Sequence, residues 1–138
     1  GIRDYKVTGV QTCALPILTN ELSYNEKNNK KCKYLDVLNC CNIDTIDDTD
    51  LNFVFNLACK NIKYLNNTPD NDKLLMLYGL YKQSTIGNCN EKKSTSFFDL
   101  KSSKKWDAWN NLKDLDQNKA KISYINFVKN LIIDDLNN

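Results

Sequence analysis

Histidine is absent from this chain of 138 residues. The side chain best suited to proton transfer near neutral pH is therefore missing, which weakens the case for general acid–base catalysis. Six cysteines are present, but they form no C-x-x-C pair that would indicate a zinc site. They are Cys13, Cys32, Cys40, Cys41, Cys59 and Cys89. We therefore expect no catalytic residues, no metal site and no cofactor, with the thiols reduced rather than paired.

Long apolar runs and an excess of charge of one sign are also lacking. The longest apolar run, Leu74 to Tyr78, is far shorter than the ~20 residues that span a bilayer. The net charge is +2, with acids interleaved among bases, whereas a nucleic-acid binder usually carries a concentrated basic face. The sequence therefore predicts a soluble chain without an integral membrane segment and without nucleic acid as a partner. We also expect a cytoplasmic monomer.

Two segments near the N-terminal end differ from the rest of the chain. Residues 7–17 resemble the conceptual translation of a common sequencing-library adapter, so residues 1–17 are expected to be an artefact. The true N-terminus and any targeting signal would then lie outside this sequence. Residues 18–48 are rich in Asn, Lys and Asp and carry few large apolar side chains. They are predicted to form a low-complexity, flexible N-terminal extension with at most a short helix at residues 34–38, or alternatively a docking segment.

From residue 49 onward the apolar spacing becomes helical, and residues 49–138 are predicted to form one domain. Thr49 or Asp50 is the expected N-cap of the first helix, and Thr68 that of the second. The second helix is expected to end near Gly87. The four predicted helices cover residues 49–67, 68–87, about 100–112 and about 116–135. Four helices of this length, joined by short and medium loops, predict an all-α bundle.

The second helix carries a mixed surface of tyrosine and lysine. Tyr78, Tyr81 and Lys82 are three and four residues apart, so they share a helix face. A flat ring can stack a base, and an ammonium group can meet a phosphate. The other helices contribute similar side chains, namely Lys63, Lys101, Lys104, Lys105 and Tyr124. Taken singly, each of these residues is more simply explained as a core residue or as a solvated charge. Trp106 and Trp109 are likewise more simply explained as packing residues.

Several of these residues belong to longer motifs. The two longest are Leu77-Tyr78-Gly79-Leu80-Tyr81-Lys82-Gln83-Ser84-Thr85-Ile86-Gly87 and Lys105-Trp106-Asp107-Ala108-Trp109-Asn110. Shorter ones are Asp99-Leu100-Lys101, Ala120 followed by Tyr124-Ile125 and Val128, and Phe55, Ala58, Lys63 and Leu65 on the first helix. Together they resemble the acyl-CoA-binding protein family, also called the diazepam-binding inhibitor family, over roughly residues 50–133. The loop at residues 90–96 departs from that pattern because it lacks the usual proline-glycine pair, and Ser102-Ser103 replaces a glycine-containing turn.

The resemblance implies an up-down-down-up four-helix bundle that binds long-chain acyl-CoA without turnover. It implies a set of CoA head-group residues: Lys63, Tyr78, Tyr81, Lys82, Lys101, Lys105 and Tyr124. It also implies acyl-chain contacts by Phe55, Ala58 and Leu75. The protein would then form an intracellular acyl-CoA pool and carry acyl-CoA in lipid metabolism. Acyl-CoA-using enzymes or membranes would act as transient donors and acceptors.

Two other functions are compatible with parts of the sequence. One is a thioesterase that uses Cys59 or Cys89 as nucleophile, although neither has a histidine partner. The other is an interaction module in which the basic helix at residues 101–105 and the N-terminal segment bind a protein or nucleic acid. Such binding should weaken steeply with ionic strength and be indifferent to acyl-CoA.

Overall fold

The computed structural model describes residues 22–138, and this part of the chain contains helices and loops without any strand. The elements are α1 Tyr24–Cys40, α2 Asp48–Asn61, a 3₁₀ turn Ile62–Tyr64, α3 Asn71–Thr85, α4 Leu100–Asn110 and α5 Gln117–Asn137. The predicted all-α class is therefore confirmed. The four predicted helices correspond to α2–α5, with boundaries that differ by a few residues.

Aspartates begin three of the helices. The Asp47 carboxylate accepts the backbone N–H of Asp50, and Asp116 accepts those of residues 118 and 119. Asp70 accepts the N–H of Lys73, so α3 begins after Pro69 and its cap is not Thr68. A carboxylate at the first turn satisfies free amide groups and complements the helix dipole. The sequence spacing alone did not show that the N-caps are Asp47 and Asp70, and not the nearby Thr49 and Thr68.

The core lies where α5 packs between α2 and α3, while α4 packs on the outer side of α3. Buried aliphatic and aromatic side chains from α2, α3 and α5 fill it, namely Leu51, Val54, Phe55, Ala58, Leu77, Leu80, Tyr124, Ile125, Val128, Leu131 and Ile132. These positions follow the three-and-four spacing of the sequence.

Gly79 allows α3 and α4 to approach each other closely. A Cβ atom at this position would lie 2.5 Å from the Ala108 carbonyl oxygen, closer than real Cβ atoms come to any neighbour. The fully buried Trp109 side chain lies at the same contact, and its indole N–H donates to the Gly87 carbonyl at 2.8 Å. Gly87 has a φ of +97°, a conformation that favours glycine just after a helix end.

The prediction of a flexible, poorly packed arm is wrong for residues 24–40, which form the 17-residue helix α1. This helix packs on α2, on the 3₁₀ turn and on α5. Tyr34 is almost completely buried, and its hydroxyl donates to the Ile125 carbonyl at 3.0 Å. Lys31 is also buried and pairs with Asp135 of α5. The partly buried Leu35, Val37 and Leu38 also pack against the core. These are few apolar contacts for a helix of 17 residues, and composition therefore did not predict it.

Asp135 joins three parts of the chain. Besides Lys31, its carboxylate accepts the backbone N–H groups of Asn66 and Asn67 at 3.1 Å each. Burial alone would raise the pKa of this carboxyl, but the hydrogen bonds from Lys31 and from the two amides outweigh it and lower the pKa. The end of α5 thereby fixes α1 and the segment that follows the 3₁₀ turn.

The N-terminal residues 1–21, including the adapter-like stretch, lie outside the described residues, and the proposed domain boundary at residue 49 stays a prediction. Within residues 22–138 no helix is long and apolar enough to cross a membrane.

Candidate functional site

Helix α3 contributes to two neighbouring groups of side chains. Tyr78 and Lys82 lie on the side of α3 that faces α4, since they contact side chains of that helix. Tyr81 lies on the side that faces α2 and α5. The structure therefore divides the tyrosine-lysine surface predicted from the sequence.

A cavity of about 500 Å³ lies between α3 and α4. Its lining combines aliphatic side chains, one tyrosine ring, three lysines and two polar residues at the start of α3. They are Asn71, Asp72, Leu74, Leu75, Tyr78, Leu100, Lys101, Lys104 and Lys105. Four of the residues predicted from the sequence are brought together here: Leu75, Tyr78, Lys101 and Lys105. A wall of this kind can hold an apolar or aromatic group beside an anion.

Tyr78 and Lys105 face each other across this cavity. The Lys105 Nζ lies 5.3 Å from the centroid of the Tyr78 ring. Burial, reinforced by the nearby carboxylate of Glu91, raises the pKa of the Tyr78 phenol still further above physiological pH, so the hydroxyl stays neutral. The pair therefore offers an uncharged ring and an ammonium group to the same ligand.

Lys82 lies one turn further along α3 and is not among the lining residues of the cavity. Its Nζ is 4.6 Å from the centroid of a Trp109 ring and 3.9 Å from the Glu91 carboxylate. Trp109 is fully buried and acts as a packing residue, as the sequence indicated. Lys82 is thus held in place by an aromatic face on one side and by an acid in the loop before α4.

Three aromatic rings form a second group between α2, α3 and α5. The centroid of Phe55 lies 6.1 Å from that of Tyr81, with nearly parallel planes, and 5.1 Å from that of Tyr124. The centroids of Tyr81 and Tyr124 are 6.3 Å apart. Phe55 and Tyr124 are buried, whereas Tyr81 is 44% exposed. Tyr81 therefore forms the outer side of this group.

Cys59 lies beside the aromatic group on α2. Burial raises the pKa of its thiol, and this effect exceeds the opposing effects of a hydrogen bond with Tyr124 and the charge of Lys63. Burial likewise raises the pKa of the Tyr124 phenol. The preceding residue, Ala58, is completely buried. Phe55, Ala58, Tyr81 and Tyr124 thus belong to one region, with the exposed Lys63 at its edge.

The sequence did not select every residue of the cavity. Asn71, Asp72, Leu74, Leu100 and Lys104 line it but were not chosen as site residues. Lys104 follows Lys101 by three residues, and this helical spacing was the available signal for it. Nothing local to the sequence indicated Asn71 and Asp72, because their position depends on where α3 begins. Asp72 is an acid beside three lysines, so it limits the positive charge of the cavity.

The fold and the cavity define a small helical binding domain with an aromatic and cationic wall. The family model described as "Acyl CoA binding protein" matches residues 53–128. Acyl-CoA-binding protein 2 of Saccharomyces pastorianus is 43% identical over 79 residues, which cover 57% of this chain and 90% of the yeast protein. The acyl-CoA-binding protein homolog of Drosophila melanogaster is 38% identical over 78 residues, 56% of this chain and 90% of that protein.

A solved structure gives the same result. The crystal structure of Oryza sativa Acyl-CoA-Binding Protein 2 aligns with a TM-score of 0.59 and 35% identity, covering 62% of this chain and 92% of the rice protein. The chain therefore belongs to the acyl-CoA-binding protein family. Helices α2–α5 are its up-down-down-up bundle, as the sequence predicted. Helix α1 precedes the matched residues.

Proposed function

We propose that this protein binds long-chain fatty acyl-CoA esters and carries them without chemical turnover. One observation carries the proposal. In a chain of this family, the α3–α4 cavity combines the Tyr78 ring, three lysines and the leucines at positions 74, 75 and 100. CoA has an aromatic base, several phosphates and an attached acyl chain, so each type of side chain has a counterpart in the ligand.

For the head group, Lys101, Lys104 and Lys105 supply ammonium groups for phosphates, and the Tyr78 ring supplies a face for adenine. Lys82 would also bind a phosphate of the ligand. To do so it would leave the Glu91 carboxylate, which lies 3.9 Å from its Nζ. That ion pair is largely exposed on the Glu91 side and is therefore weak enough to be exchanged. Lys63, Tyr81 and Tyr124 complete the proposed head-group set. Lys63 and Tyr81 are exposed beside the neighbouring aromatic group, and Tyr124 is buried within it.

For the acyl chain, we propose contacts with Leu75, Phe55 and Ala58. Leu75 lines the cavity, but Phe55 and Ala58 are buried. Since Tyr81 is half exposed and stacks on Phe55, an acyl chain can reach Phe55 if the Tyr81 ring turns outward. Aromatic side chains change rotamer readily when one face is in solvent.

Head group and tail contribute differently to the binding free energy. A hydrogen bond to a charged group contributes roughly 1.5–3 kcal/mol. Each buried methylene contributes ~0.8 kcal/mol before the costs of association, so about ten of them rival or exceed a few lysine contacts. We propose that the head group sets specificity for CoA esters and that chain length sets affinity.

Calorimetric titration tests this division. Palmitoyl-CoA should bind tightly, acetyl-CoA and free CoA much more weakly, and palmitate hardly at all. Lys105→Ala should lower palmitoyl-CoA affinity about tenfold or more, the equivalent of one charged hydrogen bond. The matched control is Lys33→Ala, which removes an exposed lysine from α1. Equal binding of acetyl-CoA and palmitoyl-CoA, or equal effects of the two variants, would refute the proposal.

The same proposal excludes hydrolysis of the bound ester. The raised pKa of Cys59 keeps this thiol protonated near neutral pH, and the sequence has no histidine to activate it. Incubation with palmitoyl-CoA should therefore release no CoA above the buffer rate. Release that disappears in Cys59→Ser would establish a thioesterase instead. A monomeric state and a cytoplasmic location remain predictions, which sedimentation and cell fractionation can check.

A further inference from the structure

The loop before α4 ends in a tight turn with two phenylalanines at its tip. The Asp99 N–H donates to the Ser96 carbonyl at 3.2 Å, which places Phe97 and Phe98 at the two central positions. The Ser96 hydroxyl also accepts the Phe98 N–H at 3.3 Å. The two side chains are 98% and 100% exposed. The turn therefore holds both phenyl rings fully in solvent.

Phenylalanine at both central positions of an exposed turn is unusual. Central turn positions favour Gly, Pro, Asn, Asp and Ser because these residues suit the backbone or bond to it, and phenylalanine offers neither property. The apolar surface also continues beyond the turn. Leu100 is 64% exposed and Leu74 is 40% exposed, and both line the α3–α4 cavity. Leu100 follows Phe98 by two residues, so exposed apolar residues extend from the turn to the lining of the cavity, and exposed apolar residues grouped in this way indicate an interaction site.

Exposed lysines precede and follow the phenylalanine turn in the chain. Lys92, Lys101 and Lys104 are exposed, and none of them forms an ion pair within residues 22–138. Lys93 differs, since it pairs with Asp107 at 2.8 Å. The acids of this segment are Glu91, which pairs with Lys82, and Asp99. The segment around the turn therefore combines an apolar tip with an excess of positive charge, although Asp72 is a further acid beside Lys101 and Lys104.

We propose that the Phe97–Phe98 turn inserts into the interface of an anionic lipid bilayer, with the surrounding lysines at the level of the headgroups. Large apolar side chains on one surface, ringed by Lys, are the pattern by which proteins bind at the plane of an anionic membrane. The lysines supply charge complementarity to acidic headgroups, and their long stems lie along the apolar region. A protein partner would need a surface complementary in shape to the two phenyl rings, whereas a bilayer needs none. Two adjacent rings at the tip of a turn therefore suit insertion into a bilayer.

Docking in this way brings Leu74, Leu100 and the cavity entrance to the membrane surface. An acyl chain would then pass between bilayer and cavity with little exposure to water. This last consequence rests on the proposed function, whereas membrane docking by the turn does not.

Co-sedimentation of the full chain with vesicles, in the absence of acyl-CoA, tests the docking. The vesicles are phosphatidylcholine alone and phosphatidylcholine mixed with phosphatidylserine. We expect binding to the mixed vesicles that falls as salt is added, because the headgroup attraction is screened. Phe97→Ser combined with Phe98→Ser should weaken binding at least about tenfold, since two apolar side chains no longer leave water. Phe53→Ser, at a half-exposed phenylalanine of α2, is the matched control and should bind as the unaltered chain does.

A second measurement does not depend on a loss of binding. Phe97→Trp should show added fluorescence quenching by brominated lipids relative to the unaltered chain, which already contains Trp106 and Trp109. Absence of vesicle binding, equal binding by the double variant, equal binding to neutral vesicles, or no added quenching would overturn the proposal. The proposal would also be overturned if the double variant changed its self-association but kept its vesicle binding. That result would indicate that the turn contacts a protein. Palmitoyl-CoA titration of the double variant reports on the proposed function separately and should give unchanged affinity.

Discussion

Lys31 in α1 and Asp135 in α5, 104 residues apart in the chain, form a buried ion pair. Asp135 also accepts two backbone amides from the segment after the 3₁₀ turn. The pair therefore connects a helix that lies before the matched family residues to the last helix of the bundle. The pair should therefore contribute to the free energy of unfolding.

Removing one partner of this pair should destabilise the protein strongly. Lys31→Met leaves the Asp135 carboxylate buried without its cation, and breaking a buried pair in this way costs about 3–5 kcal/mol. The free energy of unfolding from urea denaturation should fall by about 3 kcal/mol, since the two amides still bond to the carboxylate. Lys33→Met, at an exposed site of the same helix, is the control. An unchanged free energy of unfolding in Lys31→Met would show that the Lys31–Asp135 pair adds nothing to the stability of the fold.

Acid should weaken the fold through the same carboxylate. The pKa of Asp135 is lowered in the folded chain, so its ionised form is favoured by folding. This contribution is fully present above the unfolded pKa, near 4, and is lost as the pH falls through the lower folded value. The unfolding free energy of Asp135→Asn should therefore depend less on pH below about 4 than that of the unaltered chain. Parallel curves in this range would contradict the assignment.

Gly79→Ala should separate α3 from α4. The added Cβ meets the Ala108 backbone, which cannot rotate away, and overpacking of this kind costs about 1–3 kcal/mol. Palmitoyl-CoA affinity should fall as well, since the cavity lies between the two helices. Gly87→Ala is the contrasting variant. It strains a backbone at φ +97°, but its added Cβ comes no closer than 4.0 Å to a neighbour, Gln117 Cδ, so it should lose about 1 kcal/mol of stability with affinity retained. Equal ligand affinity in the two variants would contradict this role for Gly79.

Tyr78 should act through its ring and not through its hydroxyl. Tyr78→Phe keeps the face that Lys105 approaches, so palmitoyl-CoA affinity should change by no more than about threefold. Tyr78→Leu removes the face, and loss of one base-stacking contact weakens binding by about 1–3 kcal/mol. Calorimetry on both variants distinguishes the roles. A larger loss in Tyr78→Phe than in Tyr78→Leu would assign the contact to the hydroxyl.

Cys59 should report on the aromatic group. Its raised pKa and partial burial predict alkylation by iodoacetamide at neutral pH that is slower than at the exposed Cys32 and Cys40. Palmitoyl-CoA should change the rate at Cys59, which lies beside Tyr124 and Phe55, and leave the rates at the other two unchanged. Peptide mass spectrometry after timed labelling gives all three rates, with Cys32 and Cys40 as internal controls. A ligand effect at all three sites would indicate a general change of stability instead.

The sequence by itself determined the four helices of the bundle and the types of side chain at the cavity. Helix periodicity is a local property, and the apolar positions of α2 and α5 already mark the faces that become buried. The long motif at residues 77–87 likewise placed two tyrosines and one lysine on α3 without knowledge of the neighbouring helices.

Only the tertiary structure decided how those side chains are divided. Positions 78 and 81 are about 60° apart around a helix. This angle is small enough for the spacing to predict one shared face, but large enough for the two side chains to contact different helices. Tyr78 therefore faces Lys105 of α4, while Tyr81 stacks on Phe55 of α2. Helix α1 is the second such case. It depends on Lys31 finding Asp135 and on Tyr34 finding Ile125, and a partner about a hundred residues away leaves no trace in local composition or spacing.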